Sequence, residues 1–269
     1  MVVGSLTDER PCMPRFDRLE IGPLGEERQR VRLAEPSDER SWLAQANAER
    51  RKGLYENALR FYSRALELDK SLVVGWVGQV QMLTLLGEYP EADLWARKAI
   101  EIFPGNGDLL ASRAQAVCRL GDKKQAMALS DAALAAPAIS AFRWIARGEL
   151  AVANRQTTDT HCFDKAVEFD RDWLVPLEIA LVYLHYKFPS RAQVRAKQAI
   201  QRAADQFYCW YVCGTAEIQM DLPAQADKSF QQCLQLCPGH SEAKQRRVEL
   251  AYKPWSLRRT LFRWLRLSR

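Results

Sequence analysis

One short phrase recurs along this chain at a nearly fixed distance, and that recurrence limits the fold more than any local preference. Gly53-Leu-Tyr-Glu-Asn-Ala58, followed by Ala65, returns 34 residues later as Gly87-Glu-Tyr-Pro-Glu-Ala92, followed by Ala99. The closing alanine continues as Ala133, Ala166 and Ala199, with Cys233 in the sixth place, at spacings of 33 or 34. A second small-residue series runs Ala58, Ala92, Ala126, Ala192 and Ala226, and a third runs Ala46, Val80, Ala114, Gly148, Ala180 and Gly214. Trp42, Trp76, Trp144 and Trp210 stand four residues before members of the third series, and Pro176 holds the same offset.

Each period contains two runs of about 12 residues with apolar positions at i, i+4 and i+7, the pattern of an amphipathic helix. Gly53, Gly87 and Gly121 fall between the paired runs, where a helix C-terminus accepts positive φ. Pro104 and Pro238 close the second run of their periods. Small residues let paired backbones approach, and Trp42, Tyr62, Trp76, Trp95 and Phe230 fill the space beside them. The fourth and fifth periods replace the glycine turn with Asn154-Arg-Gln-Thr-Thr-Asp and Tyr186-Lys-Phe-Pro, which predicts altered hairpin geometry there. A single hairpin of this kind cannot bury its apolar face, so neighbouring hairpins are expected to stack.

The ordered series of tryptophan, small residue, glycine, alanine, aromatic, alanine and proline resembles the tetratricopeptide repeat. On that resemblance the units lie at 39–72, 73–106, 107–140, 141–173, 174–206 and 207–240. It implies an all-α, right-handed superhelical solenoid whose concave face, lined by the first helix of each unit, takes a protein or peptide. The implied function is a non-catalytic interaction scaffold or adaptor. The expected groove residues are Asn47, Arg50, Arg51, Gln81, Gln115, Arg119, Glu149, His185, Tyr208 and Tyr211. This lining is cationic at one end and aromatic at the other, which suits a peptide with an acidic end near Arg50, Arg51 and Arg119. Family members that grip a chaperone's C-terminal carboxylate share only Asn47 with this chain, which has Leu43, Gly78, Asp108 and Ser112 at their other clamp positions. That ligand is not expected here.

The net charge of +6 is unevenly placed. Residues 241–269 hold nine Lys/Arg against two Asp/Glu, a balance of +7, so the other 240 residues carry −1. A neutral body offers no track for nucleic acid. Residues 1–38, with Pro11, Pro14, Pro23 and Pro36 among mixed charges, read as a mostly disordered leader in which Met13 is an alternative start. Residues 241–252 continue the helical frame as a cap. After the Lys253-Pro254 break, residues 253–269 form a basic amphipathic pattern that starts with Trp255. Leu257, Leu261, Trp264 and Leu265 share one face, and Arg259, Arg263 and Arg266 lie opposite. Such a helix suits an anionic membrane surface, a partner groove or the end of the array, so a peripheral membrane adaptor is the second reading.

Cys209, Cys213, Cys233 and Cys237 form two Cys-x3-Cys pairs on neighbouring helices, a conceivable zinc set. Cys213 and Cys233, however, occupy places where the repeat packs small residues, so they read as core and no metal or cofactor is assigned. The three histidines, His161, His185 and His240, have no accompanying nucleophile and carboxylate, and no phosphate-binding loop occurs. Neither an enzyme nor a small-molecule substrate is expected. No apolar run approaches the roughly 20 residues that span a bilayer, and the seven cysteines are an odd number. The expected setting is cytoplasmic, with membrane contact through the tail. If the tail binds membranes, the full chain floats with phosphatidylserine vesicles and a chain ending at Tyr252 does not. Equal flotation of the two, or none, removes that role.

Overall fold

The computed structural model describes residues 38–252. Among these residues there are thirteen α-helices and no strand. They are α1 (Glu39–Arg51), α2 (Tyr55–Leu68), α3 (Val73–Leu86), α4 (Tyr89–Ile102), α5 (Gly107–Leu120), α6 (Lys123–Ala135) and α7 (Ala141–Ala153). There follow α8 (Asp159–Phe169), α9 (Leu174–His185), α10 (Pro189–Arg202), α11 (Phe207–Gln219), α12 (Pro223–Leu236) and α13 (Ser241–Tyr252). Consecutive helices pair as hairpins, from α1 with α2 through α11 with α12. The first helices also pack on one another, α3 on α5, α5 on α7, α7 on α9 and α9 on α11, while α13 lies on α12.

The hairpin turns are more uniform than the sequence is. Gly53, Gly87 and Gly121 have φ of 76°, 88° and 100°, and Arg155, Lys187 and Asp221 fill the equivalent places at 56°, 63° and 57°. In every turn an amide bonds to the carbonyl five residues back: Leu54 to Glu49, Glu88 to Leu83, Asp122 to Val117, Gln156 to Ala151, Phe188 to Tyr183 and Leu222 to Glu217. That is the Schellman closure of a helix end. The expected distortion in the fourth and fifth hairpins is therefore absent at the turn itself. Arginine and lysine take up the left-handed backbone, at a cost of roughly 1 kcal/mol each.

Packing follows the small-against-large pattern. Ala46, Ala58, Ala92, Ala99, Ala114, Ala126, Ala166, Ala192 and Ala199 are completely buried, as are Tyr62, Phe163 and Phe230. A Cβ added to Gly78 would lie 2.4 Å from the Tyr62 ring, and one added to Gly148 would lie 2.3 Å from the Phe163 ring. The glycines are thus the seats on which the rings of the second helices rest. Both helix α9 (Leu-Val-Pro-Leu-Glu-Ile-Ala-Leu-Val-Tyr-Leu-His) and helix α3 are apolar nearly all round. A helix with no polar face has to be enclosed, and Val175, Leu177, Ile179, Ala180, Val182, Tyr183 and Leu184 are all in the largest core cluster.

The Gly148–Phe163 contact has a direct test. Gly148→Ala is expected to destabilise the array by about 1–3 kcal/mol, the usual cost of overpacking a tight core. Urea unfolding followed by circular dichroism measures this, and an unchanged midpoint would contradict the packing.

Candidate functional site

The expected groove residues have partners within the chain, some inside that set, as Gln115 and Arg119 with Glu149, and others outside it. The last turn of α1 presents Arg50 and Arg51 to the beginning of α9. Arg50 Nε donates to Glu178 Oε1 at 3.1 Å, and its Nη2 donates to the same oxygen. Arg51 Nη2 reaches both carboxylate oxygens of Asp172 at 2.9 Å, with its guanidinium 4.7 Å above the Trp173 ring. Beyond the turn, the hydroxyls of Tyr55 and Tyr208 lie 2.9 Å apart. Gly53 is so close that an added Cβ would stand 2.2 Å from the Tyr208 ring. The first hairpin therefore touches the fifth and sixth directly.

A second cluster lies deeper. Glu149 is fully buried and accepts from Gln115 Nε2 and Arg119 Nε, each at 2.7 Å. Arg119 Nη1 also donates to the Thr84 carbonyl at 3.0 Å, and the Tyr186 hydroxyl donates to Glu149 at 3.4 Å. Between α3, α5, α7 and α9 a cavity of about 30 Å³ remains, lined by Gln81, Thr84, Gln115, Arg119, Ile145 and Glu178 among others. That is room for a water or two. Gln81 Oε1 is buried and has no hydrogen-bond partner among the described residues.

Electrostatics follow from burial and pairing. Burial opposes the Arg50 and Arg119 charges, but Glu178 and Glu149 outweigh it, so both arginines are raised above their ordinary pKa and remain cationic. Burial raises the Tyr55 and Tyr208 phenols, which stay neutral. His185 is held below the usual imidazole value, first by burial and then by Arg119.

The other expected residues divide between edge and interior. Asn47 is exposed and accepts from the Tyr62 hydroxyl at 2.7 Å. His185 is exposed at the end of α9, its ring 4.7 Å from that of Tyr186 and 6.2 Å from that of Tyr89. Tyr211 stacks on Tyr208 at 5.9 Å and meets His240 at 4.7 Å. An open lining was expected, yet Gln81, Gln115, Glu149 and Tyr208 are buried. The α9 side chains Glu178, Leu181 and Val182 stand across the narrow cavity that Gln81 and Gln115 line, and the Arg119–Glu149 pair closes it from α5 and α7. Glu178 and Asp172 were not singled out from sequence. Glu178 carried a readable signal, because a carboxylate inside an otherwise apolar helix requires a buried partner.

Cys209, Cys213 and Cys233 are buried, and burial pushes each thiol up to about 12. Cys213 Sγ donates to Glu217 Oε1 at 3.6 Å, while Cys237 is partly exposed. Among the described residues no three or more His, Cys, Asp or Glu side chains gather as a metal site, and no helix is long and apolar enough to cross a membrane. Trp255, Leu257, Leu261, Arg263, Trp264 and Arg266 lie outside the described residues, as does the leader at 1–37.

Residues 39–72, the first hairpin, match the family model described as tetratricopeptide repeat. That hairpin carries the tetratricopeptide-repeat pattern, and the other hairpins share its helical-repeat fold. Its fold is similar to that of a tetratricopeptide repeat protein from Parabacteroides merdae, at 17% identity and a TM-score of 0.50, covering 81% of this chain and 86% of that one. A thermophilic tetratricopeptide protein of Thermus thermophilus matches at 15% identity and a TM-score of 0.48, over 79% of this chain and 98% of that one. The structure of the APC/C hetero-tetramer Cut9-Hcn1 matches at 15% identity and a TM-score of 0.48, covering 81% of this chain. This chain spans only 44% of that longer chain. No curated protein matches the sequence.

The buried pair inside the array is open to test. Glu149→Gln leaves Arg119 enclosed without its carboxylate, and the expected loss is about 3–5 kcal/mol of unfolding free energy. Adding Arg119→Met should recover much of it. A loss below about 1 kcal/mol for the single change would mean that the pair is not desolvated.

Proposed function

We propose that this helical-repeat protein is a non-catalytic interaction scaffold of the tetratricopeptide kind that receives an acidic segment of a protein or peptide at its inner face. Arg50 and Arg51 form the entrance, Arg119 lies further in, and Tyr211, stacked on Tyr208, offers aromatic surface for apolar side chains. One observation carries the reading: each of the three arginines already holds a carboxylate of this chain, Glu178, Asp172 and Glu149 respectively. These side chains are posed for carboxylate recognition, and a partner's acid would replace an internal one like for like.

The exchange is least costly at the rim. Arg51 and Asp172 are 37% and 34% exposed, and ion pairs of that kind contribute about 0–1 kcal/mol. Entry therefore starts by displacing Asp172 from Arg51 and proceeds to Glu178 on Arg50. The same residues that hold the first hairpin against the fifth then set the order of binding.

Fluorescence anisotropy with a labelled Asp/Glu-rich peptide tests this. Arg50→Ala with Arg51→Ala should weaken binding at least about tenfold, the loss expected for charged hydrogen bonds. Asp172→Asn with Glu178→Gln should strengthen it by freeing both arginines, and the amide oxygen that this variant carries at position 172 can still cap the start of α9. Affinities indifferent to both double variants would place recognition elsewhere.

A further inference from the structure

The turns of the fourth and fifth hairpins form a second candidate site, which shares Tyr186 with the inner cluster and is independent of the reading above. Arg155 and Lys187 occupy the left-handed turn positions that glycine fills in the first three hairpins, with φ of 56° and 63°. Glycine adopts that backbone freely, whereas a side chain costs roughly 1 kcal/mol. Two cations thus stand where stability alone would favour glycine. The turn does not itself demand a cation, because Asp221 fills the same place in the sixth hairpin at 57°.

Both side chains line one cleft of about 490 Å³, together with Val152, Gln156, Thr157, Tyr186, Phe188 and Arg191. That volume falls within the range of small-ligand sites. Arg191 lies 5.6 Å from the Phe188 ring and donates to Asp159 at 2.7 Å, so its charge is answered. Neither Arg155 nor Lys187 forms an ion pair with a described residue. Lys123 is outside this lining, its Nζ donating to the Ala153 carbonyl at 3.0 Å. Val152, Tyr186 and Phe188 supply an apolar wall, while Thr157 and Gln156 supply polar hydrogen-bonding groups.

We propose that this cleft binds a phosphoryl group carried on an aromatic body. Two unanswered cations suit a dianion better than a single carboxylate, and the Arg155 guanidinium matches phosphate oxygens. The rings of Tyr186 and Phe188 favour a planar apolar remainder. A free aryl phosphate and a phosphotyrosine side chain share this chemistry.

Isothermal titration of the full chain with phenyl phosphate, inorganic phosphate and a phosphotyrosine peptide decides the matter. Phenyl phosphate should bind saturably and more tightly than inorganic phosphate. Arg155→Gly with Lys187→Gly should lose about tenfold per cation while its thermal midpoint rises, since the turn strain is relieved. A charge-matched control, Lys228→Gln with Lys244→Gln, should bind as the wild type does. A peptide that binds more tightly than phenyl phosphate assigns the ligand to a peptide, and the reverse order assigns it to a free aryl phosphate. The proposal is overturned by absence of saturable binding, by equal binding of phenyl and inorganic phosphate, by a glycine variant that binds undiminished, or by an equal loss in the control.

Discussion

The array depends on the burial of α9 against α7, α8, α10 and α11. Its buried valine, leucine and isoleucine side chains each contribute about 1.5–3 kcal/mol on burial, whereas the partly exposed Arg51–Asp172 pair beside it contributes about 0–1 kcal/mol. Apolar burial therefore supplies the drive that brings the first helices together, and the arginines of α1 fix where the first hairpin lands. Replacing Arg50 or Arg51 would change that seating more than the fold.

Much of this was legible from periodicity. The spacing of Ala65, Ala99, Ala133, Ala166 and Ala199 identified the paired helices, and the seats at Gly148 and Gly214 with their facing rings Phe163 and Phe230 belong to the same pattern. A repeat reports each hairpin's contact with its neighbour, because that contact recurs. The bond from Arg50 to Glu178 spans 128 positions and occurs once, so no period can announce it. The turns show the reverse case. Asn154-Arg155 and Tyr186-Lys187 look like departures, yet the backbone there repeats that of Gly53, since the helix ends on either side impose the closure and the residue in between conforms.

Polar groups inside the array divide by depth. Arg119 and Glu149 are desolvated, and such a pair adds little net stability while costing much when one member is lost. Its natural effect is to specify one arrangement of α5 against α7. Arg51 and Asp172 lie nearer water and can exchange partners. The gradient from exchangeable pair to fixed pair runs inward from the first hairpin, and it gives the proposed acidic ligand a direction of approach.

The most direct measurement is a double-mutant cycle on Arg50 and Glu178, using Arg50→Gln, Glu178→Gln and the double variant in equilibrium urea unfolding. Seating of α1 on α9 predicts a coupling of about 1–3 kcal/mol, the range for residues in contact in one network. Single effects that add to within about 0.3 kcal/mol would show that the two hairpins do not meet in solution, and the enclosed inner face would fall with them.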